Sequence, residues 1–118
     1  EEAEQKLYGA LRLAPDEMRV RAAFGILAFR RGTYGQAVEE LTWVCERDPD
    51  NGTTQYYLGE ALNRLGRFEE AVGPLERATE LRPNDPRAFY TLGHLYDRKQ
   101  MSEVAAEMYR KASELQNR

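Results

Sequence analysis

The sequence holds one cysteine, Cys45, and one histidine, His94. A single cysteine cannot form an internal disulfide, so the fold does not depend on an oxidising compartment; this fits a cytoplasmic setting best and leaves a periplasmic one open. The two residues fall in different parts of the chain, so no His–Cys catalytic pair is expected. Zinc would need about four converging ligands, and the soft ones are missing, so neither a metal nor another cofactor is expected. No apolar run approaches the roughly 20 residues of a membrane span, and there is no basic-then-apolar leader. The chain opens on Glu1 in a run that already reads as helix, as expected of a piece of a longer protein. Charge of one sign is also lacking, with 17 basic against 20 acidic residues. That balance gives no general attraction to phosphate backbones or anionic lipid, so nucleic acid and membrane insertion are not expected.

What is present is a period, about 34 residues long. Leu58-Gly59 is echoed one period later by Leu92-Gly93 and one period earlier by Phe24-Gly25. The lattice continues through Ala37, Ala71 and Ala105, through Leu41, Leu75 and Tyr109, and through Val44, Ala78 and Ala112. Pro15, Pro49 and Pro83 share the spacing, and a proline disfavours helix at the residue before it, so the three mark helix boundaries. Each period holds two helix-length segments: 18–31 with 35–47, 52–65 with 68–81, and 86–99 with 102–115. Gly32 and Gly66 lie just past the first segments, where a residue able to adopt positive φ ends a helix. Gln100 stands at the third such place, predicting a looser or displaced turn there. Gly25, Gly59 and Gly93 in helix middles cost roughly 1 kcal/mol each, which close approach of the paired helices offsets. A single pair cannot bury its apolar face, so neighbouring pairs are expected to stack as a solenoid.

These lattice residues are those of the tetratricopeptide repeat, and the chain resembles that family over nearly its full length. The resemblance implies an all-α, right-handed superhelical solenoid of antiparallel helix pairs. Residues 1–17 would be the second helix of a truncated preceding repeat, with Ala3, Leu7 and Ala10 in place. Three whole repeats would follow over 18–51, 52–85 and 86–118. The second departs from the family at Gln55, where an aromatic is usual and the third has Phe89; the first carries Arg21 there.

The resemblance also implies that the first helices line a concave groove, the usual seat for a peptide or helix of a partner protein. The groove set would be Arg19, Ala22, Ile26, Phe29 and Arg30, then Thr53, Tyr56, Glu60, Asn63 and Arg64, then Arg87, Tyr90, His94, Asp97 and Arg98. Within each repeat these positions recur at spacings of three or four and so share a helix face. Five arginines against Glu60 and Asp97 make that face basic on a chain of net charge -3. An acidic segment or carboxylate-bearing peptide is the matching ligand, with Arg64 and Arg98 able to fork onto carboxylates and Tyr56 and Tyr90 adding apolar contact. Alternatively the face is a generic mixed groove in which Glu60 pairs with Arg64. Some family members grip chaperone C-termini through a basic and asparagine clamp. At the aligned places this chain has Ala22, Ile26, Tyr57, Arg87 and Thr91, of which only Arg87 suits.

The remaining residues fit packing. Cys45 sits where Leu11, Thr79 and Ser113 recur and is expected to be a small packing residue, and Trp43 an inter-repeat packing ring. Glu39-Glu40 and Glu69-Glu70 are placed in first turns of second helices, where they favour the helix dipole. His94 lies mid-groove, where it either meets a ligand or is simply hydrogen-bonded. The whole reads as a non-catalytic protein-interaction scaffold. The alternatives are self-association, building homo-oligomers through Leu7, Leu11 and Leu13 at one end and Met108 and Leu115 at the other, and a substrate-docking arm of a larger enzyme.

Overall fold

The computed structural model describes residues 17–117. Within them lie six helices: α1 Glu17–Arg30, α2 Tyr34–Arg47, α3 Gly52–Arg64, α4 Phe68–Leu81, α5 Pro86–Arg98 and α6 Ser102–Gln116. They pair as hairpins α1–α2, α3–α4 and α5–α6, with α2 against α3 and α4 against α5 joining one hairpin to the next. The half repeat expected over 1–17 lies outside the described residues except for Glu17, which opens α1.

The seam within each hairpin follows from the lattice. A Cβ added at Gly25, Gly59 or Gly93 would fall within 3.0 Å of Leu41, Leu75 or Tyr109, respectively. Only glycine therefore lets the paired helices approach this closely without a side chain shifting. Ala37, Leu41, Ala71 and Leu75 are fully buried on the other side of the seam.

The hairpin turns are alike, which corrects the expectation for the third. Gly32, Gly66 and Gln100 have φ of 82°, 78° and 62°. In each turn the left-handed residue donates to the carbonyl three residues back: Gly32 to Phe29, Gly66 to Asn63, Gln100 to Asp97. The next residue donates five back, from Thr33 to Ala28, Arg67 to Leu62 and Met101 to Tyr96. This two-bond helix terminus holds its shape against the cost of a non-glycine residue at positive φ. Between hairpins, side chains start the next helix: Asn51 Oδ1 accepts from the Thr54 amide at 3.1 Å, and Asp85 Oδ1 from the Arg87 amide at 3.0 Å.

The curvature has a visible cause. First helices α1 and α3 touch directly, and side chains bridge α3 to α5 through Glu60 and Thr91 and through Arg87 over Tyr56. Second helices α4 and α6 instead stand apart over a cleft of about 590 Å³, lined between them by Phe89, Leu92 and Tyr96 of α5. With first helices crowded and second helices splayed, the array bends toward the first helices. The result is an all-α solenoid with α1, α3 and α5 on its concave face.

Candidate interaction groove

Three first helices place their polar and aromatic residues on one face, and the structure sorts the expected set into three groups. The first is an aromatic strip. Phe29 meets Tyr34 and Tyr57 at ring separations of 5.5 and 5.4 Å, and Tyr57 meets Tyr56 at 5.2 Å. Tyr34 and Tyr57 were not among the groove residues expected from the sequence. Tyr34 belongs to a second helix, and Tyr57, one position after Tyr56, is aligned only with the chaperone clamp.

Arginines flank the strip. Arg64 lies 5.5 Å from the Phe29 ring and 5.7 Å from that of Tyr34, and donates to the Tyr34 hydroxyl at 2.9 Å. Arg98, one repeat on from Arg64, stacks 3.7 Å over Phe68, which is itself one repeat on from Tyr34. The same clasp thus joins hairpin to hairpin twice, an arginine at the end of one first helix covering the ring that opens the preceding second helix. Guanidinium stacking leaves the N–H edge of the plane available for a carboxylate. Arg30 and Arg87 both approach the Tyr57 hydroxyl: burial raises this phenol, but their hydrogen bonds outweigh it and hold it below the ordinary tyrosine range. Adjacent Tyr56 moves the other way, pushed up to about 12 by burial and the charge of Glu60.

Two expected groove charges change character. Glu60 is 5% exposed and accepts from the Thr91 hydroxyl. It is buried between α3 and α5, with no bond to Arg64, because the twist of the array presses that side of α3 against the next first helix. Arg87 is bound by Asp85 through Nε at 3.1 Å and Nη2 at 2.7 Å, and this pairing holds the Asp85 carboxyl below its usual range. The open cations are therefore Arg30, Arg64 and Arg98, which have no carboxylate partner among the described residues. Asn63 is half-buried at the end of α3.

The third group is at the far end of α5. Tyr90, His94 and Tyr109 form a triangle of rings 4.7, 5.8 and 5.3 Å apart. The Tyr109 hydroxyl lies 3.0 Å from His94 Nδ1 and 3.1 Å from Asp97 Oδ2. Tyr90 is 53% exposed, and His94 and Asp97 are also open to solvent.

Away from the groove, Cys45 is buried, and desolvation with the charges of Asp48 and Glu46 pushes its thiol up to about 12. It is the packing residue expected. Trp43 is held inside its own hairpin, with Arg21 at 4.3 Å and Arg47 at 3.9 Å from the ring. Arg21, standing where an aromatic is usual, thus borrows its ring from α2. Glu69 and Glu70 do lie in the first turn of α4; Glu39 and Glu40 do not, because α2 starts at Tyr34, and Glu40 instead pairs with Arg21 at 3.2 Å. At the C-terminal end Met108 packs toward the core, while Ala106, Arg110 and Ser113 are exposed. Val38 and Cys45, the lattice partners of Ala106 and Ser113, are buried, so α6 turns a more polar face outward than α2 does.

No helix among the described residues is long and apolar enough to cross a membrane. No curated protein matches the sequence. Solved structures that resemble it include those of MamA. MamA MSR-1 is 32% identical with a TM-score of 0.84, over 97% of this chain and 66% of that one. MamA from Desulfovibrio magneticus RS-1, at 24% identity and a TM-score of 0.88 over 98% of this chain and 66% of that one, shares the fold. A MamA single-site mutant is 33% identical with a TM-score of 0.80, over 95% of this chain and 82% of that one. The chain thus spans just under two thirds of the length of the first of these. Profiles described as tetratricopeptide repeat match residues 22–86 and 86–118; the chain belongs to the tetratricopeptide repeat family, and its fold is that of a protein-interaction scaffold.

Proposed function

We propose that the concave face captures an acidic or carboxylate-bearing segment of a partner protein. The observation that carries this reading is the pair of open guanidinium groups Arg30 and Arg64 beside the strip Tyr34–Phe29–Tyr57–Tyr56, with Arg98 repeating the Arg64 clasp one hairpin on, over Phe68. With Glu60 buried and Arg87 compensated by Asp85, the strip keeps Arg30 and Arg64 with no open carboxylate of the expected groove set beside them; the one that stays open, Asp97, is held at Tyr109 on the other side of the face. Stacking on rings fixes the guanidinium planes beforehand, so less side-chain freedom is lost on binding. The rings supply apolar contact for the ligand's backbone and neighbouring side chains.

End-to-end self-association draws less support, because α6 carries the smaller, exposed Ala106 and Ser113 where α2 buries Val38 and Cys45. The test is binding of acidic peptides to the chain and to an Arg64→Glu/Arg98→Glu variant, with helical content followed in parallel. Loss of at least about tenfold in affinity, with weakening as salt rises, is expected for exposed charge recognition. Equal binding by both proteins would place the ligand elsewhere.

A further inference from the structure

The far end of the same face has the opposite chemistry. A phenol carries one proton, and that of Tyr109 goes to the stronger acceptor, the Asp97 carboxylate at 3.1 Å. The Tyr109 oxygen then accepts from His94 Nδ1 at 3.0 Å, which assigns the ring proton to Nδ1 and leaves Nε2 an open acceptor. Burial and the bond to Asp97 both raise the Tyr109 phenol, in keeping with its role as donor. Asp97 has no cationic partner among the described residues, since its neighbour Arg98 is turned onto Phe68. Beside these acceptors Tyr90 offers an exposed ring, set edge-on to His94 at 89°.

Two acceptors and a π face make a seat for an ammonium or guanidinium group. We propose that the groove reads a dipolar peptide: its acidic residue lies among Arg30, Tyr57 and Arg64, and a lysine or arginine of the same peptide sits on Asp97, His94 and Tyr90. This rests on the groove reading above and adds the ligand's second charge and its spacing. Helix α5 is the ruler. Arg87, at the Tyr57 hydroxyl, and His94 and Asp97 are seven and ten residues apart on one helix, or about 10 and 15 Å at 1.5 Å per residue. An extended peptide covers that in roughly three to five residues. The two seats also fix polarity, with the acidic residue toward α1 and the basic one toward α6.

A phage-displayed library of random linear peptides, selected on the full chain, tests this. Enriched sequences should pair an acidic residue with a lysine or arginine about three to five positions away in one consistent order. Asp97→Asn, which keeps an oxygen to accept from Tyr109 while removing the charge, should weaken them about tenfold. Asp97→Lys should reverse the preference toward peptides carrying a second acid. Enriched peptides with acid alone, weakened by Arg64→Glu/Arg98→Glu and indifferent to Asp97→Asn, would overturn the dipolar reading and leave the acidic groove standing. Peptides with neither charge, or none at all, would overturn both.

Discussion

The first helices have two working sides that treat the repeat differently. On the side turned to the partner helix, Gly25, Gly59 and Gly93 meet Leu41, Leu75 and Tyr109, one arrangement made three times. On the side turned to the concave face only the closing arginines Arg30, Arg64 and Arg98 recur in all three hairpins, and Tyr56 recurs once as Tyr90; the rest differs, with Ile26 and Phe29 in the first, Tyr57 and Glu60 in the second, His94 and Asp97 in the third. The seam solves a packing problem that is identical in every hairpin, so its residues recur. The face solves a recognition problem that changes along its length, so most of its residues do not. The two sides meet at Tyr109, which fills the seam against Gly93 and also reaches His94 and Asp97 with its hydroxyl.

The sharpest separation of the two sides comes from Leu75→Ala. Leu75 is fully buried, and truncating such a residue costs about 2–5 kcal/mol. A fall in melting temperature of roughly 10 °C or more is expected from thermal unfolding at this size. A shift no larger than that of a surface substitution would mean that the seam does not hold the array together.

Gly59→Ala is expected to cost less. The added methyl meets the Leu75 side chain at under 3.0 Å, and overpacking of about 1–3 kcal/mol is partly offset by the roughly 1 kcal/mol that alanine gains in a helix. Its control is Gly35→Ala on α2, where a Cβ meets nothing within 4 Å and the propensity gain of up to about 1 kcal/mol stands alone. Opposite signs in the two melting curves would confirm that helix approach, and not glycine content, sets the seam.

The concave side should respond in ligand binding far more than in stability. Arg64→Glu with Arg98→Glu removes two exposed stacking clasps, each contributing about 0.5–1 kcal/mol, and should leave helicity nearly unchanged while acidic peptides are lost. A smaller readout probes Arg30. Its hydrogen bond helps hold Tyr57 below the ordinary range, so Arg30→Gln should move that phenol upward in an absorbance titration while Tyr56, already near 12, stays high. An unchanged titration would remove Arg30 from the Tyr57 seat.

Legibility followed the same division. The helix bounds, hairpin seams and turns at Gly32 and Gly66 could be read from the chain because each depends on residues within one period, and three copies reinforce the pattern. The face was read less fully. Which side of Glu60 is covered depends on how far α5 rotates relative to α3, and the compensation of Arg87 depends on Asp85 turning back from the preceding loop. Tyr34 reaches the groove only because Arg64 of the next hairpin folds over it. Its recurrence as Phe68 opposite Arg98 was a signal present on the repeat lattice, but the pair becomes a contact only when hairpins stack.

Gln100 tests whether the third turn really matches the others. Its φ of 62° and its two turn hydrogen bonds reproduce those at Gly32 and Gly66. A non-glycine residue there carries a left-handed cost of about 1–2 kcal/mol, whereas glycine adopts the angle freely but adds freedom to the unfolded chain, worth roughly 0.4–1 kcal/mol. The two terms oppose each other, so Gln100→Gly should stabilise by only about 0.5 kcal/mol and raise the melting temperature by about 2 °C. Gln100→Val, branched at Cβ and poorly suited to positive φ, should destabilise instead. Neither change alters Tyr90, His94 or Asp97, so dipolar peptide binding should hold at temperatures below unfolding. If Gln100→Gly lowered stability, the third turn would have to be held by a contact of the glutamine side chain that the other two hairpins manage without.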